Sequence, residues 1–512
     1  METTNKIEFS KPYLKRTIWI GLAFFGILLV WQLYNSYCSP MLSFLFVKHD
    51  FPQAIEQAQI WLDNQITLGN IAEGTKLNMR YILQSGQITQ DDYLSVQWKV
   101  GIIMALDNIA ALFIMPIFGY LSDKTRTKLG KRMPYIIVGS VVTAIVLPFI
   151  PFFFSIGMAE AQITGMLVGM IATMVVVIVF MMSYRSPAVA LMPDLTPKPL
   201  RSKANGIINV VGYVGGAIGS VAAIVIPVTK YIDGTNRSLW MLEIPFILGS
   251  VILLISLAFL LKKVKENELH AKLDEEIRNA EGLGESAEQV TTNEKLSKVN
   301  LRNLALILVA EMFWFMALNA VETFQTNYLM FWENCSSSGG AIMTVLSGAA
   351  SVVGFIFAGR IADKIGRKWT IFIGICVVAA CFVVYSFAPQ RVVDVYTFDD
   401  AMWFAFWILL PISGFGSSLI HICSFPLVTD YCTSDKLGRF TSLYYTASML
   451  AQSLTPILIG FILNITKAWV ALPIYSTVLM AIAGLVFFFV KAPRRMDKAA
   501  NPKGLDALGA ND

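Results

Sequence analysis

The stretch GYLSDKTRTKLGKRMPY, residues 119–135, ends one long apolar segment and leads into the next. It carries five basic residues and a single carboxylate, Asp123. A shorter version, GRIADKIGRK at residues 359–368, stands 240 residues later, again between two apolar segments. Such a repeat predicts a chain built from two related halves. The recurring positions are Gly119, Asp123, Lys131 and Arg132 in the first half and Gly359, Asp363, Arg367 and Lys368 in the second.

The composition places the apolar segments in a lipid bilayer. The chain has 512 residues, of which 55% are hydrophobic and 15% charged, and its mean hydropathy is +0.61. About 20 apolar residues in a helix cross the hydrocarbon core. We therefore predict an all-α membrane protein with twelve transmembrane helices, near residues 17–46, 97–121, 133–155, 161–190, 204–228, 241–263, 301–330, 341–362, 369–389, 401–429, 440–465 and 470–490.

The repeat divides these segments into two pseudo-symmetric halves of six helices each. We predict that residues 1–263 form the first half, with an extracytoplasmic insertion at 47–96. Residues 299–491 are predicted to form the second half. A charged cytoplasmic linker at 264–298 joins the halves, and residues 492–512 form a cytoplasmic tail.

Basic residues are concentrated in alternate loops, and this distribution sets the predicted orientation. They precede the first segment and fill the loops after the second, fourth and eighth segments. By the positive-inside rule, both termini of this multi-pass protein are predicted to be cytoplasmic. We expect the membrane to be a plasma membrane, most simply a bacterial inner membrane. The net charge of +5 then reflects orientation, and we expect no nucleic-acid partner. The sequence has no nucleotide-binding or catalytic motif, which predicts a non-enzyme without cofactor or metal.

A second motif also repeats in the same order. ALMPDLTPKPLRSKANG, residues 190–206, contains Asp194 and Arg201 after the fourth segment. FPLVTDYCTSDKLGRFTS, residues 425–442, contains Asp430 and Arg439 after the tenth. A carboxylate at one helix end can bind a basic side chain or the start of a neighbouring helix. Both repeated motifs are therefore predicted to act as conformational switches; the simpler alternative is that their charges only anchor helix ends.

These motifs resemble those of the major facilitator superfamily, whose two six-helix halves rock around a central site. GRIADKIGRK fits the superfamily loop G-x-x-x-D-R-x-G-R-(R/K). The longer GYLSDKTRTKLGKRMPY is similar to the form G-Y-x-S-D-R-x(5)-G-R-R-R-P-(F/Y) of the sucrose/proton symporters. SPAVALMPDLTPKPLRSKAN, residues 186–205, resembles the fourth span of the same family. The chain also resembles the glycoside–pentoside–hexuronide cation symporters.

The chain departs from the symporter pattern at one position that the resemblance marks as functional. The arginine of the family's fourth span falls on Val189 in this sequence. Arg185 lies one turn earlier on the same helical face and is taken as a displaced equivalent. The resemblance implies a major facilitator fold and sugar symport through alternating access.

Three ionisable residues are predicted to lie near the middle of the membrane. Asp107 and Glu311 each stand about ten residues into a predicted span, and Arg185 stands nine residues before Asp194 at the inner end of the fourth span. Charged groups at this depth are costly and mark candidate functional sites. We predict that Asp107 carries the coupling proton and that Arg185 competes for it, with Glu311 as a further coupling acid. The alternative is a permanent ion pair between Asp107 and Arg185 that only joins two helices.

Polar and aromatic residues on the first and seventh segments predict a sugar site. Glu311, Trp314, Glu322 and Gln325 follow helical spacing along one stripe of the seventh segment. Aromatic rings stack on the apolar face of a sugar, while amides and carboxylates bind its hydroxyls. The alternative is an interfacial aromatic belt and ordinary helix packing. The predicted sugar-binding residues are Trp31, Gln32, Tyr34, Asn35, Asn108, Trp314, Asn319, Glu322 and Gln325.

The sequence therefore predicts a monomeric secondary transporter that imports a neutral glycoside, most simply a disaccharide such as sucrose or maltose, by proton symport. Three alternatives stay open. In the first, the protein is an efflux antiporter for amphipathic compounds. In the second, it is a sodium-coupled sugar symporter, because carboxylates and amides also suit sodium. In the third, it is a membrane sensor that binds a sugar without moving it.

Overall fold

The computed structural model describes residues 11–75, 77, 79–159, 163–197, 201–228, 239–281, 298–332, 337–388, 405–431 and 437–491. Within these ranges every regular element is a helix. The first part of the chain forms α1 (Lys11–Asp50), α2 (Pro52–Thr67), α3 (Met79–Gln84), α4 (Gln90–Lys124), α5 (Met133–Val146), α6 (Phe149–Ala159), α7 (Ile163–Asp194), α8 (Arg201–Val225), a 3₁₀ turn (Leu239–Leu242), α9 (Glu243–Lys263) and α10 (Glu266–Glu281).

The second part repeats the pattern of long helices. It forms α11 (Lys298–Phe331), α12 (Ser337–Ile365), α13 (Arg367–Ser386), α14 (Ala405–Asp430), α15 (Leu437–Thr466) and α16 (Ala471–Phe488). In the first part, α5 and α6 together make one apolar span, Met133–Met158, interrupted by a turn at Leu147 and Pro148. Proline lacks the backbone N–H that a continuous helix requires, which explains the interruption.

The long helices are membrane spans by length and apolarity. Eleven spans in the described residues are long and apolar enough to cross a bilayer. The remaining long helix, α12, has a shorter apolar part at Gly339–Phe355 and brings the number of spans to twelve. The all-α membrane fold predicted from hydropathy is thus confirmed.

The two halves pack most extensively along two pairs of helices. α4 packs against α15, and α8 packs against α12. In the first pair the backbones touch, because a Cβ atom added at Gly101 would lie 2.0 Å from the carbonyl oxygen of Pro456. A Cβ at Gly460 would lie 2.6 Å from the carbonyl oxygen of Gln97. Small residues at these positions permit the close helix contact that membrane interfaces use.

The two ends of the helix bundle differ in what covers them. We call the end that carries loop 125–132 and α10 the basic side. The opposite end carries α2 and α3, and we call it the insertion side. At the insertion side Asp50, the last residue of α1, forms a 2.5 Å ion pair with Lys99 on α4, which ties α1 to α4.

Candidate functional site

Three charged side chains from three helices of the two halves lie close enough to interact in the centre of the bundle. Arg185 on α7 interacts electrostatically with Asp107 on α4 and with Glu322 on α11. Within the described residues, no ion pair joins the Arg185 guanidinium directly to either carboxylate. The cluster is therefore a loose arrangement of two acids around one base, in which small movements can change which groups are in contact.

Asp107 is held by its chain neighbour. Its side chain is buried, and its Oδ1 accepts hydrogen bonds from the backbone N–H and from the side-chain amide of Asn108, the latter at 2.8 Å. Asn108, which the sequence predicted to bind sugar, thus uses its side-chain amide to bind the acid. The fully buried ring of Tyr34 on α1 also interacts electrostatically with Asp107. Among the described residues, the Tyr34 hydroxyl has no hydrogen-bond partner.

Arg185 is positioned by an aromatic ring of α1. Its guanidinium carbon lies 5.0 Å from the ring centroid of Trp31. A cation over an indole face is attracted by the ring quadrupole. Since a guanidinium carries five N–H donors, Arg185 can interact with the indole and still donate hydrogen bonds to a carboxylate or a ligand.

A hydrogen bond between Asn35 and Glu322 joins the two halves at this level. The Asn35 side-chain amide on α1 donates to Glu322 Oε1 on α11 at 3.3 Å. Glu322 is also solvent-exposed, although it lies on a membrane-spanning helix. Because its partner belongs to the opposite half, this exposed side faces the space between the halves. One helical turn before Asn35, Gln32 donates to Ser36 on the same helix at 3.1 Å.

The stripe predicted on α11 does not line one continuous space. Glu311 is fully buried and interacts electrostatically with Tyr444 and Tyr445 of α15. Within the described part of the chain, neither of its carboxylate oxygens has a hydrogen-bond partner. Trp314 is also fully buried, with its ring 6.0 Å from that of Phe487 on α16. These two residues therefore face the neighbours of α11 within its own half.

Asn319 and Gln325 occupy two further environments on α11. Asn319 is buried, and among the described residues its Oδ1 atom has no hydrogen-bond partner. Gln325 borders a small apolar cleft with Tyr328, Tyr385 and Phe406. That cleft lies inside the second half, so Gln325 is not brought to Asn35. Of the α11 residues predicted to bind sugar, Glu322 is the one hydrogen-bonded across to the first half.

A buried polar network on the insertion side escaped the sequence reasoning. The side-chain amide of Asn327 on α11 lies 3.2 Å from Ser39 Oγ, 3.1 Å from Ser43 Oγ and 3.2 Å from Gln97 Oε1. These acceptors lie on α1 and α4, in the opposite half. Beside them, the backbones at Gly101 and Pro456 are in contact. The halves are thus sealed together on the insertion side. The sequence signal was the spacing of Ser39 and Ser43, which places two hydroxyls one turn apart.

The predicted switch residues of the first half form one cluster on the basic side. Arg132 is buried; its Nε donates to Asp194 at 2.9 Å, and its Nη2 forms an ion pair with Asp123. Its Nη1 donates to the hydroxyl of Ser122, which sequence reasoning missed, and to the carbonyl of Gly119 at 3.4 Å. Lys131 also pairs with Asp194 at 3.0 Å. The cluster contains five of the six switch residues predicted in the first half, Gly119, Asp123, Lys131, Arg132 and Asp194. The side chain of the sixth, Arg201, lies outside the described residues.

The second half is described at fewer of the predicted switch positions. Arg367 donates to the carbonyl of Pro426 on α14 at 3.3 Å, and Gly359 is exposed, with open space where a Cβ atom would lie. The side chains of Asp363, Asp430 and Arg439 lie outside the described residues.

Comparison with known proteins identifies the family. Residues 92–494 match the family model described as MFS/sugar transport protein. No curated protein matches the chain.

Solved structures resemble the fold at low sequence identity. A bacterial homologue of the human lysosomal transporter Spinster, in an inward-facing and occupied conformation, is 13% identical; the match covers 94% of this chain and 97% of that chain at a TM-score of 0.56. A variant of the nucleoside transporter NupG is 11% identical over 92% of this chain and 99% of that chain, with a TM-score of 0.55. The human organic anion transporter MFSD10 is 17% identical over 93% of this chain and 100% of that chain, with a TM-score of 0.51.

Proposed function

Because this chain belongs to the MFS/sugar transport protein family of the major facilitator superfamily, we propose that it imports a neutral glycoside, such as a disaccharide, together with a proton. Membership establishes a membrane transporter rather than an enzyme. The glycoside, the proton and the direction of transport are our proposal. The observation that carries it is the hydrogen bond between Asn35 and Glu322, made across the two halves beside a solvent-accessible space.

A sugar can replace this contact with contacts of the same kind. Hydroxyl groups both donate and accept, so one sugar edge can accept from the Asn35 amide and donate to the Glu322 carboxylate. The apolar face of the sugar ring can pack against the indole of Trp31, one face of which already contacts Arg185. Substrate binding would thus replace a direct contact between the halves by a bridge through the sugar, and the two halves could then move around it.

Asp107 is proposed as the coupling acid. It is buried and forms no direct ion pair with Arg185, although the charges of the two groups interact electrostatically. A buried carboxylate needs a compensating charge, which a proton or a closer guanidinium can supply. A movement that brings Arg185 to Asp107 would therefore release the proton, and a movement that withdraws Arg185 would favour its uptake. Glu311, sealed against α15, is proposed as a second acid that exchanges its proton in another conformation.

We also propose an orientation in the membrane. The basic side carries the lysine- and arginine-rich loop 125–132, so we place it in the cytoplasm and the insertion side outside the cell. We propose a monomer in the plasma membrane, with the sugar and the proton as its small partners. In the present conformation the outside entrance is the sealed one, because Asn327 bridges the halves there.

The test is uptake of labelled mono- and disaccharides into proteoliposomes, with the pH gradient and the sodium gradient varied separately. Accumulation driven by an inwardly directed proton gradient, in the absence of sodium, would support the proposal. Accumulation driven only by sodium would assign the coupling to that ion. Failure to accumulate any glycoside, with export of amphipathic dyes from inverted vesicles, would overturn the proposal in favour of an efflux antiporter.

A further inference from the structure

The start of helix α10 is bound to the loop that carries the switch cluster of the first half. Glu266, the first residue of α10, is only 3% exposed although it is a charged residue outside the membrane spans. Its Oε1 accepts from the backbone N–H groups of Lys131 at 3.0 Å and Arg132 at 3.1 Å. Its Oε2 accepts from Arg132 at 3.0 Å and Met133 at 3.1 Å.

These bonds supply a cap that α5 lacks in its own sequence. The N-cap residue of α5 is Arg132, whose side chain makes no capping hydrogen bond. The first N–H groups of a helix have no partner inside the helix, and a carboxylate also interacts favourably with the positive end of the helix dipole. Glu266 therefore fills the role of an N-cap from a position 133 residues beyond the start of α5.

Two further contacts fit α10 to this loop. The side-chain amide of Asn267 donates to the carbonyls of Thr127 at 3.1 Å and Lys128 at 3.0 Å. Gly130 adopts a φ of +119°, and a Cβ there would lie 2.2 Å from Glu266 Oε2. Glycine is thus required at residue 130 both by the backbone conformation and by the approach of the carboxylate. The loop is shaped around Glu266.

Arg132 connects this cap to the ion pairs of the switch. Its backbone N–H is held by Glu266, while its side chain binds Asp123 at the end of α4 and Asp194 at the end of α7. A displacement of Glu266 therefore shifts the residue that joins α4, α5 and α7 on the basic side.

We propose that Glu266 is a positioning residue that stabilises the conformation sealed on the insertion side by holding Arg132 in its ion pairs. In this role α10, which belongs to the linker between the halves, is attached through Glu266 to the switch cluster of the first half. This role extends beyond the proposed transport of a glycoside, because it concerns the balance between two conformations and requires no particular substrate or coupling ion.

The experiment measures opening on the opposite side of the molecule. A single cysteine is introduced as Ser39→Cys, in the full chain with its six native cysteines replaced by serine. Ser39 is 1% exposed within the sealed network, so a water-soluble maleimide reaches it when the insertion side opens. In this background Glu266→Ala is expected to raise the initial labelling rate at least fivefold. The readout uses neither sugar nor proton, so its result is independent of the proposed transport activity.

Two further variants keep the test decisive. Gly130→Ala should also raise labelling, because its Cβ would displace Glu266. The matched control is Glu268→Ala on the same helix, since Glu268 is exposed and pairs with Lys265 three residues away; its labelling rate should stay within twofold of the parent. Labelling in Glu266→Ala and Gly130→Ala that is unchanged or slower than in the control, in protein that elutes as a folded species, would overturn the proposal. If Glu266→Ala does not fold, Glu266→Gln gives the same decision, because it keeps the length of the side chain but replaces one acceptor oxygen by an amide nitrogen that cannot accept.

Discussion

Asn35 and Glu322 lie 287 residues apart in the chain, yet the amide of the first donates a 3.3 Å hydrogen bond to the carboxylate of the second. The contact joins α1 to α11 and therefore joins the two halves of the transporter. It lies beside Trp31 and Arg185, whose cation–π pair belongs wholly to the first half. A contact between halves at the level of the charged cluster must change whenever the halves move.

Replacement of Asn35 tests whether this contact is part of the substrate site. We expect Asn35→Ala to raise the KM for the transported glycoside by up to about tenfold, because the lost hydrogen bond from the neutral amide to a sugar hydroxyl contributes about 0.5–1.5 kcal/mol. The measurement is the concentration dependence of initial uptake. The matched control is Gln325→Ala, which alters an amide that faces the apolar cleft with Tyr328 and Phe406. Equal losses in both variants would contradict this assignment.

Asp107→Asn tests the coupling acid. The amide has nearly the same shape as the carboxyl group but cannot release a proton. We expect gradient-driven accumulation to be lost, while exchange of labelled for unlabelled substrate persists at a substantial fraction of the parent rate. Both are measured in the same proteoliposomes. Full accumulation in Asp107→Asn would remove Asp107 from the coupling role.

Glu311→Gln distinguishes the second acid from the first. Glu311 is sealed in the present conformation, and an unpaired carboxylate there would be costly, so the neutral form is the one that fits. Glutamine mimics that form, and we expect thermal stability to change little. Accumulation should fall at least threefold if Glu311 exchanges its proton during transport. An unaltered accumulation ratio would leave Glu311 with a packing role only.

Asn327→Ala tests the seal on the insertion side. Its amide has three acceptors on α1 and α4, and all of them would lose a buried donor. Leaving a buried polar group unsatisfied costs about 1–3 kcal/mol. We expect this cost to favour opening and to increase labelling of an engineered cysteine at Ser39 about tenfold. Asn464→Ala, at the exposed end of α15 where Asn464 binds Lys467, provides the control and should leave labelling unchanged.

Gly101→Ala tests the backbone contact between α4 and α15. The added methyl would lie 2.0 Å from the Pro456 carbonyl oxygen, so the helices must separate or the sealed conformation must be abandoned. We expect a lower midpoint of thermal unfolding and loss of most transport. Gly165→Ala is the matched control, because its Cβ would meet no atom within 4 Å. A Gly101→Ala protein as stable and active as Gly165→Ala would show that the contact is dispensable.

Some of the residues that sequence patterns selected are also close together in the structure. Asp107, Arg185 and Glu322 were singled out as ionisable or polar residues on apolar segments, and they interact in the centre of the bundle. Gln325 was placed on the same stripe as Glu322, yet it faces the interior of its own half. Helical spacing defines a face, but neighbouring helices on both sides of that face can contact it, and spacing alone does not tell which one does.

The sequence by itself determined the fold, because hydropathy and a repeated loop motif are local properties that fix the number of spans and the two halves. The tertiary structure decided which polar groups meet. Asn327 reaches Gln97 across 230 residues, and Glu266 reaches Arg132 across 134. Such pairs depend on how the helices tilt and cross. Those angles follow from the packing of many side chains at once, and no local pattern in the chain encodes them.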